Sequence, residues 1–184
     1  ATPLSIACEE GHIEIARLLL EASAAVNQAR QDGATPLFIA CQKGHVEIAR
    51  LLLEAGAAVS HAEDGGATPL FTACQEGRVE CARLLLEDGA AVNHADSEGC
   101  TPLYSACQNG HFECARMLRD AGADINQAMN DGCTPLFIAC QKGHLEIARL
   151  LLEAGAAIDQ VKDGGWTPLI VACEKGYLEI ARLL

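Results

Sequence analysis

The sequence predicts an all-α solenoid: stacked helix-turn-helix units joined by β-hairpin-like arms. Three observations carry that expectation. Thr-Pro-Leu recurs at Thr2, Thr35, Thr68, Thr101, Thr134 and Thr167, always 33 residues apart, and a fixed period of this length is the mark of a tandem array. Within each period the apolar residues fall at helical spacing, as at Ile48, Leu51 and Leu52. Only seven of the 184 residues are aromatic while Ala and Leu abound, which favours small-residue helix packing over a sheet core.

Each element of the unit follows from local chemistry, read most easily in the second copy. Thr35 stands where a hydroxyl caps a helix, and Pro36 takes the first helical position, where its missing N–H costs nothing. The first helix runs to about Lys43 and is stopped by Gly44. A second helix begins near His45, places Glu47 in its first turn where the helix dipole favours an anion, and ends before Gly56, a residue suited to a left-handed cap. Ile48, Leu51 and Leu52 form its buried stripe. The stretch from Ala57 to Ala67 carries Asp64-Gly65-Gly66, a turn signal, and projects as a hairpin-like arm. Helices this short are marginal alone, so each unit buries its faces against its neighbours and stability is summed along a line. The chain reads as one array over residues 1–184. Ala1 opens at a capping turn and Leu184 falls inside a second helix, so a piece of a longer repeat protein is expected.

Composition narrows the partners. Thirteen Lys and Arg against twenty-five Asp and Glu leave a formal charge of -12, which repels a phosphate backbone and anionic membranes. No nucleic acid or membrane partner is expected, and no apolar run reaches the roughly 20 residues of a membrane span. The first residues lack the layout of a secretory signal.

The chemistry-bearing residues read as structural. Six cysteines (Cys8, Cys41, Cys74, Cys107, Cys140, Cys173) share one slot of the repeat and are expected in the core, as are Cys81 and Cys114. Cys100 and Cys133, just before the Thr-Pro-Leu corner, are expected partly exposed and the better targets for thiol labelling. No C-x-x-C pair exists; His111 with Cys114 and Cys107, and His61 and His94 near Glu63, Asp64 and Asp96, are the constellations resembling a metal set, and no metal and no cofactor is expected. Unpaired thiols in this number fit a reducing compartment, cytoplasm or nucleus. His12, His45, His111 and His144 open second helices, where structural use outweighs catalysis, and His61 and His94 lie on solvated arms. No nucleophile, phosphate-loop or zinc-protease motif occurs, so the chain is not expected to be an enzyme.

The run Asp32-Gly33-Ala34-Thr35-Pro36-Leu37, then Ala40-Cys41, Gly44-His45-Val46-Glu47-Ile48, Leu51-Leu52 and Gly56-Ala57-Ala58-Val59 resembles the ankyrin repeat, a β-turn with two antiparallel helices, over the whole chain. The family's usual His after Thr-Pro-Leu is replaced by Ser5, Phe38, Phe71, Tyr104, Phe137 and Ile170, where apolar packing between units is expected instead. The resemblance implies a noncatalytic protein-interaction module with partners on the concave side, made of arm tips and first-helix ends. Mapped onto this sequence, the tips are Gln31 and Asp32, Asp64, Ser97 and Glu98, Asn130 and Asp131, and Asp163. The helix ends are Glu9 and Glu10, Gln42 and Lys43, Gln75 and Glu76, Gln108 and Asn109, Gln141 and Lys142, and Glu174 and Lys175. Glu63, Asp64, Glu76, Asp96 and Glu98 gather acid in the middle units, with Lys43 on one side and Lys142 and Lys175 on the other. A protein partner with a basic or mixed-charge surface is therefore expected.

Trp166, the only tryptophan, stands in a slot held elsewhere by Ala34, Ala67, Cys100 and Cys133; it serves either as a binding hot spot or as a cover for the last unit. Asn27, Asn93 and Asn126, each eight residues after a Leu, are similar to the pattern asparaginyl hydroxylases accept in this family, but hydrogen bonding within the arm is the favoured reading. Two other roles compete with a stand-alone module: a regulatory or targeting segment of a larger multidomain protein, and an engineered binder on the same frame. Apolar ends at Leu183 and Leu184 offer a route to end-to-end self-association.

Overall fold

The computed structural model describes residues 1–184. It contains twelve helices in six pairs. The first helices are α1 (Pro3–Glu10), α3 (Pro36–Lys43), α5 (Pro69–Gln75), α7 (Pro102–Asn109), α9 (Pro135–Lys142) and α11 (Pro168–Lys175). The second helices are α2 (Ile13–Glu21), α4 (Val46–Glu54), α6 (Val79–Glu87), α8 (Phe112–Asp120), α10 (Leu145–Glu153) and α12 (Leu178–Leu183). Each first helix packs on its own second helix and on the next first helix, so the pairs stack in series. No helix is long and apolar enough to cross a membrane.

Every first helix starts the way its sequence demands. The hydroxyls of Thr35, Thr68, Thr101 and Thr134 are buried and accept the amide N–H three residues on, at 3.1 to 3.3 Å, satisfying a helix-end donor that would otherwise be orphaned. The first unit is tighter still. Ser5, standing where the other units carry Phe or Tyr, accepts from the Thr2 N–H at 2.8 Å while Thr2 Oγ1 accepts from the Ser5 N–H at 3.1 Å, a reciprocal cap.

Packing refines the expected stripe. In the second unit Ile48, Ala49 and Leu52 are buried, whereas Leu51 is only half-buried, because it faces the looser row of second helices rather than the first-helix row. Phe38, Phe71, Tyr104 and Phe137 are buried in the expected apolar slot, but Ile170 of the last unit is 45% exposed, since nothing stacks on its outer side.

One core group is unsatisfied. The Thr72 hydroxyl is buried without a hydrogen-bond partner, in a slot that Ile39, Ile138 and Val171 fill elsewhere. An unpaired buried hydroxyl costs about 1 to 3 kcal/mol. Thr72→Val keeps the shape and removes the polar atom, so urea denaturation should show a gain of about 1 kcal/mol. A loss would mean the hydroxyl is paired after all, for example to water.

The arms are turns rather than two-stranded hairpins. Each closes through two backbone bonds: Arg30 N–H to Ala34 O, Glu63 to Ala67, Asp96 to Cys100, Met129 to Cys133 and Lys162 to Trp166, at 2.8 to 3.0 Å, and the Gly N–H three residues on (Gly33, Gly66, Gly99, Gly132, Gly165) back to the same residue's carbonyl at 2.9 to 3.2 Å. Successive tips are then tied to one another: the N–H groups of Asp64, Ser97, Asn130 and Asp163 donate to the carbonyls of Asp32, Gly65, Glu98 and Asp131 at 3.0 to 3.1 Å. The tips therefore form one continuous ledge beside the row of first helices.

Candidate functional site

The candidate interface is built on that ledge and on the ends of the first helices. Of the residues expected there, Gln31, Asp32, Lys43, Asp64, Gln75, Glu76, Ser97, Glu98, Asn109, Asn130, Lys142 and Trp166 are exposed, and Gln42, Glu63, Gln108, Asp131 and Gln141 are half-buried. A constant backbone thus presents side chains that vary most at the tips (Gln31, Asp64, Ser97, Asn130) and repeat as Gln at one helix-end slot (Gln42, Gln75, Gln108, Gln141).

Several of these groups are already engaged in holding the arms. One carboxylate oxygen each of Asp32, Glu63, Asp96 and Asp131 accepts the N–H of Ala34, Ala67, Cys100 and Cys133 at 2.9 to 3.1 Å. Glu63 and Asp96 thus serve as turn acceptors as well as charges, a role signalled by their equal distance ahead of Thr68 and Thr101. Asp64, Glu76 and Glu98 carry no side-chain hydrogen bond or ion pair and are the free part of the acidic centre. At the edges, Arg30 pairs with Glu9, and the hydrogen bond to Arg30 holds the Glu9 carboxyl below its ordinary value. Lys162 Nζ lies 2.9 Å from Asp131 and 5.9 Å from the Phe137 ring centroid. The hydrogen bond from Lys162 holds the Asp131 carboxyl down, and the same bond raises Lys162.

Histidine serves the stack. The Nε2 atoms of His45, His111 and His144 lie 3.3, 3.0 and 3.3 Å from the carbonyl oxygens of Glu9, Gln75 and Gln108 in the preceding unit, and Arg78 Nε donates to Gln42 O at 3.3 Å in the same slot. The arm amides do similar work: Asn27, Asn93 and Asn126 accept the N–H of Ala58, Asp124 and Ala157 in the next arm at 2.8 to 2.9 Å.

The thiols need two corrections. Cys100 and Cys133 are buried, 7% and 3% exposed, because the arm folds back over the preceding unit; Tyr104 Oη donates to Cys133 Sγ at 3.4 Å. Cys173 is exposed although its slot-mates are buried, because no helix covers that side of α11, so it is the accessible thiol. Cys81 and Cys114 are fully buried as expected. Burial pushes the Cys8, Cys100 and Cys140 thiols up to about 12, and hydrogen bonding to Cys81 and Cys114, with burial, raises Cys41 and Cys74. Thiols held protonated are poor nucleophiles and poor ligands. No three His, Cys, Asp or Glu side chains converge as a metal set.

Sequence reasoning also missed a groove. Between α9, α11 and the fifth arm lies a cleft of about 300 Å³ lined by Phe137, Gln141, Lys162, Asp163, Trp166, Val171, Glu174 and Lys175. Trp166 was its only clue, as a bulky residue in a slot for small ones; Phe137, Lys162 and Val171 join it only once the arm has folded onto two first helices.

A family model described as ankyrin repeats (three copies) matches residues 1–63, 58–129 and 122–184, which together span the chain. No curated protein matches it.

Proposed function

The chain belongs to the ankyrin-repeat family, and from that premise we propose that it binds a protein with a basic or mixed-charge surface on the face of arm tips and first-helix ends, the concave side in the family's geometry. Ankyrin repeats generally mediate protein–protein interaction and are typically noncatalytic. The observation that carries the reading is the placement of Asp64, Glu76 and Glu98: exposed and unpaired, Asp64 and Glu98 on adjacent tips of the ledge and Glu76 at the end of α5 between those two arms. Unpaired charge of one sign steers an oppositely charged partner and penalises a like-charged one. On the second helices Glu80, Glu113 and Glu146 are each paired, with Arg83, Arg116 and Arg149 respectively, at 2.6 to 3.9 Å, so those three acids are not free.

The test compares two triple variants in a lysate pull-down read by mass spectrometry. Asp64→Asn, Glu76→Gln and Glu98→Gln remove the free acids while leaving Glu63 and Asp96 to hold their turns. Glu80→Gln, Glu113→Gln and Glu146→Gln remove equal charge from the second helices. Partners lost from the first variant and kept by the second are expected. The reverse pattern, or identical recoveries, would remove the interface from this face.

A further inference from the structure

The fifth arm breaks the rule the other four obey. In those, the residue before Thr-Pro-Leu is Ala34, Ala67, Cys100 or Cys133, and a carboxylate from its own arm takes its amide N–H. The fifth arm has Gly164-Gly165-Trp166 and no carboxylate on the Trp166 amide, although Lys162 N–H still donates to Trp166 O as in the other arms. The indole is left 38% exposed at the mouth of the groove described above. Departures from local consistency within an otherwise uniform frame are where function is expected.

The groove's chemistry selects its occupant. Lys162 and Lys175 are balanced by Asp163 and Glu174, so it exerts no net pull on charge; its accessible apolar surface is the indole, since Phe137 and Val171 behind it are buried. A volume of about 300 Å³ holds one large side chain, not the row of anchors that a helix face requires. Two free carboxylates lie along the same ledge, Glu98 two arms away and Asp64 three arms away, and Glu76 stands off it at the far end of α5, three first helices from α11. Stacked helices lie about 8 to 10 Å apart, which puts the acids roughly 20 to 30 Å from Trp166. An extended chain covers that in about six to nine residues.

We propose that this face binds a single extended segment that seats a bulky apolar or aromatic side chain against Trp166 and lays basic side chains over Glu98, Glu76 and Asp64. The inference rests on the face assigned under the proposed function and adds the partner's chemistry and spacing.

The lone tryptophan makes the groove self-reporting. The probe is a synthetic peptide with Arg-Lys-Arg, a Gly/Ser spacer of about seven residues and Phe, titrated into the full chain. Saturable change in Trp166 emission is expected, with affinity weakened about tenfold by Phe→Ala in the peptide, the loss of one anchor, and by Glu76→Gln with Glu98→Gln in the protein. Cutting the spacer to two residues keeps the composition but removes the reach, and should weaken binding comparably. Trp166→Ala, a residue this slot accepts at Ala34 and Ala67, should weaken a fluorescein-labelled peptide read by anisotropy. No binding at millimolar peptide, indifference to spacer length, or equal binding with Glu in place of the basic residues would each overturn the proposal. If those results coincide with partners still lost from the Asp64, Glu76 and Glu98 variant, the face stands and only the segment's chemistry fails; if neither responds, both fail.

Discussion

Leu85→Ala should cost about 3 kcal/mol and split the unfolding of the chain in two. Leu85 is fully buried in α6 of the third unit, in the slot that Leu52, Leu118 and Leu151 fill in their own units. Leu→Ala in a close-packed core removes transfer energy and leaves a cavity, typically 2 to 5 kcal/mol. Here the damage falls on a unit that touches only its two neighbours, and stability in such arrays is a sum of unit and interface contributions. Far-UV circular dichroism reports all twelve helices, whereas Trp166 emission reports only the fifth arm. In urea the circular dichroism midpoint should fall well below that of Trp166 emission. Coincident transitions would make the chain one cooperative block. Leu18→Ala is the control: Leu18 is 64% exposed in α2, and its loss should stay within about 0.5 kcal/mol.

The second large effect separates backbone strain from crowding. Gly66 and Gly56 share a left-handed conformation, with φ of 90° and 84°, so Ala at either costs about 1 to 2 kcal/mol. Around Gly56 a new Cβ would meet nothing within 4 Å, but at Gly66 it would lie 3.0 Å from Asp96 Cα and Ser97 N. Those are backbone atoms of the next arm and cannot swing aside. Gly66→Ala must push the second and third arms apart, at the expense of the bond from Ser97 N–H to Gly65 O at 3.1 Å, a further 0.5 to 1.5 kcal/mol or so. Urea midpoints should therefore rank wild type above Gly56→Ala, and Gly56→Ala above Gly66→Ala. Equal losses would show that the arm-to-arm ledge contributes nothing to stability. Gly66→Ala should also weaken partner capture through Glu98, because the ledge that carries it is displaced.

Much of the fold was legible because the repeat states it six times over. Thr35, Pro36, Gly44 and Gly56 carry signals that act within a few residues, on cap hydrogen bonds and allowed φ values, and the helices begin and end where those signals fall. The interface was legible only in part. Side chains at the tips and helix ends range from exposed to half-buried, and Glu63 and Asp96, which by sequence alone read as free charge, each place an oxygen on their own turn. Cys100 and Cys133 looked like surface thiols because they sit beside a corner; they are buried because the corner folds onto the unit before it.

What the amino-acid order determined by itself is the unit: its length, its two helices, its caps and the slots that face inward, all set by interactions within one period. The tertiary structure decided what passes between units. Stacking joins the tips by hydrogen bonds between residues 32 apart, lays Lys162 across Phe137, and opens the cleft under Trp166. Those contacts depend on how far one unit is displaced and turned relative to the next, a quantity fixed by the packing of whole helix faces and written in no single stretch of the chain.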